Sequence, residues 1–148
     1  MSENPASADP RILTGRAAPA REPLVLRAGP VTALLDGADL RHVRIGDTEL
    51  VQRVYMALRD AQWNTIPATC SDWEVDAGPD RFHVAFRARH AHEAIEFSWR
   101  GVIDGAPDGT IRYELDGTCH GVFKYCKIGF NVHHPLEGAI GRRYRATA

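Results

Sequence analysis

The chain has 148 residues, a formal net charge of -1, 44% hydrophobic residues and 25% charged residues, the make-up of an ordinary globular protein. The near-neutral balance excludes the basic footprint of a nucleic-acid binder or of a protein held on an anionic membrane. Its length suits one domain with a substantial core, since a chain of about 150 residues buries about 68–70% of the surface it exposes when unfolded.

The opening MSENPASADPRILTGR has no apolar run, so neither a secretory signal nor a membrane anchor is expected and a cytoplasmic location follows as the default. Residues 1–10 hold almost nothing to bury and are expected to form a disordered tail, with one domain over residues 11–148. From Pro23 onward the dominant period is two, the mark of half-buried strands. PVTALLDGADLRHVRIGDTEL predicts two strands around Asp36-Gly37, a dipeptide that tolerates positive φ, and a second turn at Gly46-Asp47.

ELVQRVYMALRD fits two periods, because Leu50, Val54 and Leu58 have helical spacing while Val54, Met56 and Leu58 alternate. Its β-branched and aromatic residues favour the strand. In RFHVAFRAR, Phe82, Val84, Phe86 and Ala88 share one strand face. AIEFSWRGVI repeats the pattern with Ile95, Phe97 and Trp99, and TIRYELDG with Ile111, Tyr113 and Leu115. The turns GPD (78–80) and DGAPDG (104–109) separate these strands. Ile128, Phe130 and Val132 predict a last core strand that stops at Pro135, with His134 on the apolar-face register and His133 beside Asn131 on the other. The fold class is therefore all-β, an antiparallel β-sandwich of about eight or nine strands, with a partly open barrel as the alternative.

Three cysteines, Cys70, Cys119 and Cys126, form no metal-binding or disulfide pattern and are expected to be buried or inert. His90, His92 and Glu96 have a spacing similar to the cupin metal motif, but Val84 and Ile103 stand where that motif has glycines. The competing expectation places His90 to Glu93 in an exposed hairpin connection, and no cofactor or metal is assigned. No GxSxG elbow occurs, the serines have no recognisable partners, and Cys119 and His120, as neighbours on a strand, face opposite ways.

RDAQWNTIP gathers Arg59, Asp60, Trp63, Asn64 and Thr65 into one loop. An aromatic plate among polar groups suits sugar recognition; the same residues also suit a rigid strand connection with a capped turn. His134, at a strand end, is a further candidate binding residue, and its plainer reading is an imidazole tied to a loop carbonyl.

ILTGRAAP, the stretch from LRAGP to AQWNTIP, and KIGFNVHHP together resemble the N-terminal β-domain of the D-apionate lactonase family. The matching residues are Leu13, Gly15 and Pro19, then Leu40-Arg41, Arg59-Asp60, Trp63 with Thr65, and Ile128 to Pro135. The resemblance implies a parent enzyme that hydrolyses a branched sugar-acid lactone in carbohydrate catabolism, with a TIM-type barrel and a C-terminal domain after this one. No βαβ alternation is present, so the chain is expected to be an accessory domain lacking the barrel, truncated at its C-terminus and inactive alone. Arg59, Asp60, Trp63, Thr65 and His134 are then expected to face the absent barrel domain or a sugar-acid ligand, none with a catalytic role. A stand-alone carbohydrate-binding sandwich is the alternative.

Overall fold

Strand follows strand because each apolar set recurs at every second residue and each run ends in a turn dipeptide. The computed structural model describes residues 22–143 and 145; the expected tail and the leading Leu13, Gly15 and Pro19 lie outside the described residues. Ten strands form two antiparallel sheets. The first contains β1 (Leu24–Ala28), β2 (Val31–Asp36), β3 (Asp39–Ile45), β4 (Thr48–Asp60), β5 (Thr65–Ile66) and β10 (Tyr125–His133), in the order β1-β2-β3-β4-β10 with β5 also paired to β4. The second is the meander β6 (Ala68–Ala77), β7 (Phe82–His92), β8 (Ile95–Gly105) and β9 (Ile111–Cys119). A single helical turn, α1 (Leu136–Ala139), follows β10.

The inner faces share one core. Leu26, Leu35, Leu40 and Leu58 of the first sheet meet Val84, Phe86, Phe97, Trp99 and Ile103 of the second, and burial of each such side chain contributes about 1.5–3 kcal/mol. The ambiguous segment is strand β4, with Val54, Met56 and Leu58 against the core. Ten strands replace the expected eight or nine; β5, with two residues, is too short to carry a period. β10 is an edge strand rather than a core strand, half-burying Ile128 and Phe130 and leaving Val132 exposed. Alternation reports that one face is apolar, and it does not report how well a neighbouring layer covers that face.

Two glycines permit close approaches, Gly29 between the sheets and Gly101 within the second sheet. Gly29 turns β1 into β2 at φ 51°, and a Cβ there would lie 2.0 Å from the Pro107 carbonyl oxygen in the β8–β9 turn. Its N–H donates to the Asp80 carbonyl at 2.8 Å, tying this turn to the second sheet. On β8, Gly101 lies directly opposite Phe86, whose ring covers it: a Cβ on Gly101 would meet Phe86 Cζ at 2.4 Å. That ring is itself held, stacked on Trp73 at 4.5 Å and edge-on to Trp99 at 5.2 Å.

Gly101→Ala is expected to destabilise the domain by about 1–3 kcal/mol, as overpacking does, read as a lower urea midpoint at unchanged slope. An unaltered midpoint would show that Phe86 can move aside.

Candidate functional site

Strand β4 ends at Asp60, whose carboxylate organises the turn that follows. Its Oδ1 accepts from the backbone N–H groups of Gln62 at 2.9 Å and Asn64 at 2.8 Å, and its Oδ2 from Asn64 Nδ2 at 2.9 Å. The Asn64 bonds, side chain first, hold this carboxyl below its ordinary range. β5 then returns antiparallel, with Thr65 opposite Arg59. Arg59 Nη1 donates to Thr65 Oγ1 at 2.7 Å and to the Trp63 carbonyl at 3.3 Å. Trp63 is held at φ 67°, a left-handed conformation uncommon for a bulky residue, and is 62% exposed.

Arg59, Asp60, Trp63 and Thr65 thus form one rigid loop in which the polar groups are spent on each other and the indole is presented outward. His134 is not part of it. The β4–β10 register runs from Tyr125 opposite Asp60 to His133 opposite Arg53, so the exposed His134 lies at the far end of the pair, about 25 Å from Asp60 at about 3.3 Å per residue.

Thr65 also lines a cleft of about 530 Å³ between the β2–β3 turn, β4, β5 and the second sheet, with Asp39, Arg53, Tyr55, Cys70 and His90 around it. Arg53 Nε donates to Asp39 Oδ2 at 2.9 Å, with Nη2 at 2.6 Å from the same oxygen. The Arg53 guanidinium lies 4.2 Å from the centre of the Tyr55 ring, which meets His133 edge-on at 5.3 Å. Burial pushes the Asp39 carboxyl up, against the opposing pull of Arg53, and burial likewise raises the Cys70 thiol. The Tyr113 hydroxyl donates to the Ala38 carbonyl at 2.6 Å and is pushed far above its ordinary range by burial.

The innermost lining residue is His90, 2% exposed, the one buried polar residue among the described residues. Trp99 Nε1–H donates to its Nε2 at 3.1 Å, so the ring proton sits on Nδ1, which lies 2.8 Å from the Ile66 carbonyl and donates to it. The imidazole therefore bonds the first sheet, at β5, to the second, and burial lowers its pKa. The hairpin turn falls at Glu93-Ala94, so His90 is not in the exposed connection expected from sequence. His92 is exposed and Glu96 is held by Arg89 at 2.7 Å; the three do not converge, and no group of three or more His, Cys, Asp or Glu that could hold a metal occurs among the described residues.

Two further expectations change. Ser98 has a partner, its Oγ lying 2.6 Å from His120 Nε2 on the outer face of the second sheet, a pairing across 22 residues that no local motif signals. Among the described residues no carboxylate bonds the other ring nitrogen of His120. Cys119 and Cys126 are exposed and only Cys70 is half-buried.

The fold is an antiparallel two-sheet β-sandwich with polar groups gathered around a cleft at one end of its apolar core. Its family is more specific: the model of the D-apionate lactonase N-terminal domain matches residues 11–148, and the chain belongs to that family. It is 25% identical over 138 residues to the D-apionate lactonase of Brucella anthropi, an alignment covering 93% of this chain and 23% of that enzyme. No solved structure gives a significant match.

Replacing His90 by Phe leaves the Ile66 carbonyl and the Trp99 N–H without partners, at an expected cost of about 1–3 kcal/mol. The pH dependence has a definite sign. Because the folded pKa lies below the ordinary 6.5, the unfolded chain protonates first, so stability is complete above 6.5 and falls as pH drops towards the folded value. His90→Phe is expected to flatten that fall in urea unfolding measured on either side of pH 6.5; equal slopes for the two proteins would place the proton elsewhere.

Proposed function

We propose that this chain serves as the accessory N-terminal β-domain of a D-apionate lactonase-like enzyme of carbohydrate catabolism, the lactone hydrolysis being performed by a separate catalytic barrel domain. The observation that carries this reading is the family match over residues 11–148 set beside the share of the relative that the chain spans, 23%. The loop chemistry supports it. Arg59 bonds Thr65, Asp60 bonds Gln62 and Asn64, and Trp63 stays exposed on a backbone that cannot relax freely, which suits an anchor for a partner surface rather than a group that moves protons.

His134 sits at the opposite end of β10, next to the exposed Leu136 and Ile140 of the following helical turn. In this reading His134 belongs to the contact with the catalytic domain, not to a reaction centre.

The purified chain is expected to show no turnover of a panel of five- and six-membered aldonolactones, followed by proton release. Turnover abolished by His134→Ala would overturn the reading.

A further inference from the structure

The Asp39–Arg53 pair is arranged as only half of a hydrogen-bonded system. Both contacts from Arg53 go to the same oxygen, Asp39 Oδ2. Among the described residues no other group bonds Asp39 Oδ1 or Arg53 Nη1, and neither atom is among the buried unpaired ones. Asp39 Oδ1 is therefore a free acceptor and Arg53 Nη1, on the guanidinium edge turned away from Asp39, a free donor, on two residues that line the same cleft. The Arg53 plane is fixed twice, by Asp39 and by the Tyr55 ring beneath it, so the open groups are held in place before any ligand arrives, which lowers the ordering cost of binding.

Charge decides which ligand fits. Asp36 on the rim is balanced by Arg41 at 2.8 Å, and Asp39 by Arg53, so the site presents no spare cation. A carboxylate entering it would meet two existing carboxylates and an arginine already engaged, and like charges brought together in a partly buried site repel. A ring carrying several hydroxyls fits better, since each hydroxyl both donates and accepts: one can donate to Asp39 Oδ1 while another accepts from Arg53 Nη1. Thr65 adds a further hydroxyl on the wall, Met56 and Tyr55 supply apolar surface, and a volume of about 530 Å³ is ample for one sugar ring.

We infer that this cleft binds a neutral polyhydroxylated ring, of the class of a sugar or sugar lactone, through hydroxyls bonded to Asp39 and Arg53, and that it discriminates against the corresponding open-chain acid anion. The choice of a sugar-type ligand rests on the family reading above; the preference for the neutral form rests on the charge balance of the cleft. The burial that raises the Asp39 carboxyl agrees with a charge short of solvating hydroxyls. Thr65 links this site to the Trp63 loop, so occupancy would stiffen the hairpin that Arg59 already ties down.

The test is a chemical-shift titration of the full chain at pH 6 with D-ribono-1,4-lactone and, separately, with sodium D-ribonate. Expected are saturable shifts confined to Arg53 Nε–H and the amides of Asp39, Thr65 and Cys70 with the lactone, and binding at least about tenfold weaker with the acid. Arg53→Gln should weaken lactone binding about tenfold or more while the remaining amide spectrum is retained. Because that variant leaves Asp39 unpaired and can fail to fold, the wild-type shift map is an independent arm. No saturable shift, shifts centred on Trp63 or on the sheet faces, or equal binding of acid and lactone would each overturn the inference. None of these results bears on whether the chain turns lactones over, so the accessory-domain reading stands or falls separately.

Discussion

The imidazole of His90 is bonded at both nitrogens inside the core, to a carbonyl of one sheet and an indole of the other. Apolar contacts alone press two sheets together without dictating how a two-residue strand should sit between them. β5 has one sheet neighbour, β4, and pairs through only two residues, so its position depends on what holds its outward-facing carbonyl. A buried carbonyl left without a partner would cost about 1–3 kcal/mol, and His90 removes that cost in a single geometry. A neutral ring with one defined tautomer can do this; a protonated one would lose its bond from Trp99.

From that constraint the functional end of the sandwich follows. With β5 fixed at Ile66, Thr65 is placed opposite Arg59, the arginine closes on its own loop, and Asp60 completes the turn that leaves Trp63 outside. The same pin forms the floor of the cleft, whose walls are the β2–β3 turn and β4. At the other end of the sandwich, Gly29 lets the β1–β2 turn dock on the β8–β9 turn. One end is thus closed by backbone contact, and the other is held open around polar side chains.

Much of this was legible in the residues. Phe82, Val84, Phe86 and Ala88 alternate without interruption, and all four are buried on one face of β7; the turn at Gly46-Asp47 falls where predicted, and the first turn falls at Gly37-Ala38, one residue past the Asp36-Gly37 pair that signals it. The family motif in RDAQWNT pointed to a loop that proves to be a single hydrogen-bonded unit. What could not be read depends on contacts between distant segments. His90 looks like a hairpin histidine because its neighbours Ala91, His92 and Glu93 are polar or small, and only the carbonyl of Ile66, 24 residues away, makes it a core residue. Asp39 and Arg53 are separated by 14 residues, and nothing local distinguishes them from surface charges. His134 and Trp63 share only an order of motifs along the chain, which carries no distance; the β4–β10 register sets them at opposite ends.

The dependence of the loop and cleft on one neutral imidazole is open to direct measurement by long-range proton–nitrogen correlation spectroscopy of the histidine rings between pH 7.5 and pH 5. The account predicts that His90 shows a protonated Nδ1 and an unprotonated Nε2 throughout its neutral form, with a midpoint displaced below the ordinary 6.5. A ring protonated at Nε2, or one that titrates freely at about 6.5 like an exposed histidine, would contradict it.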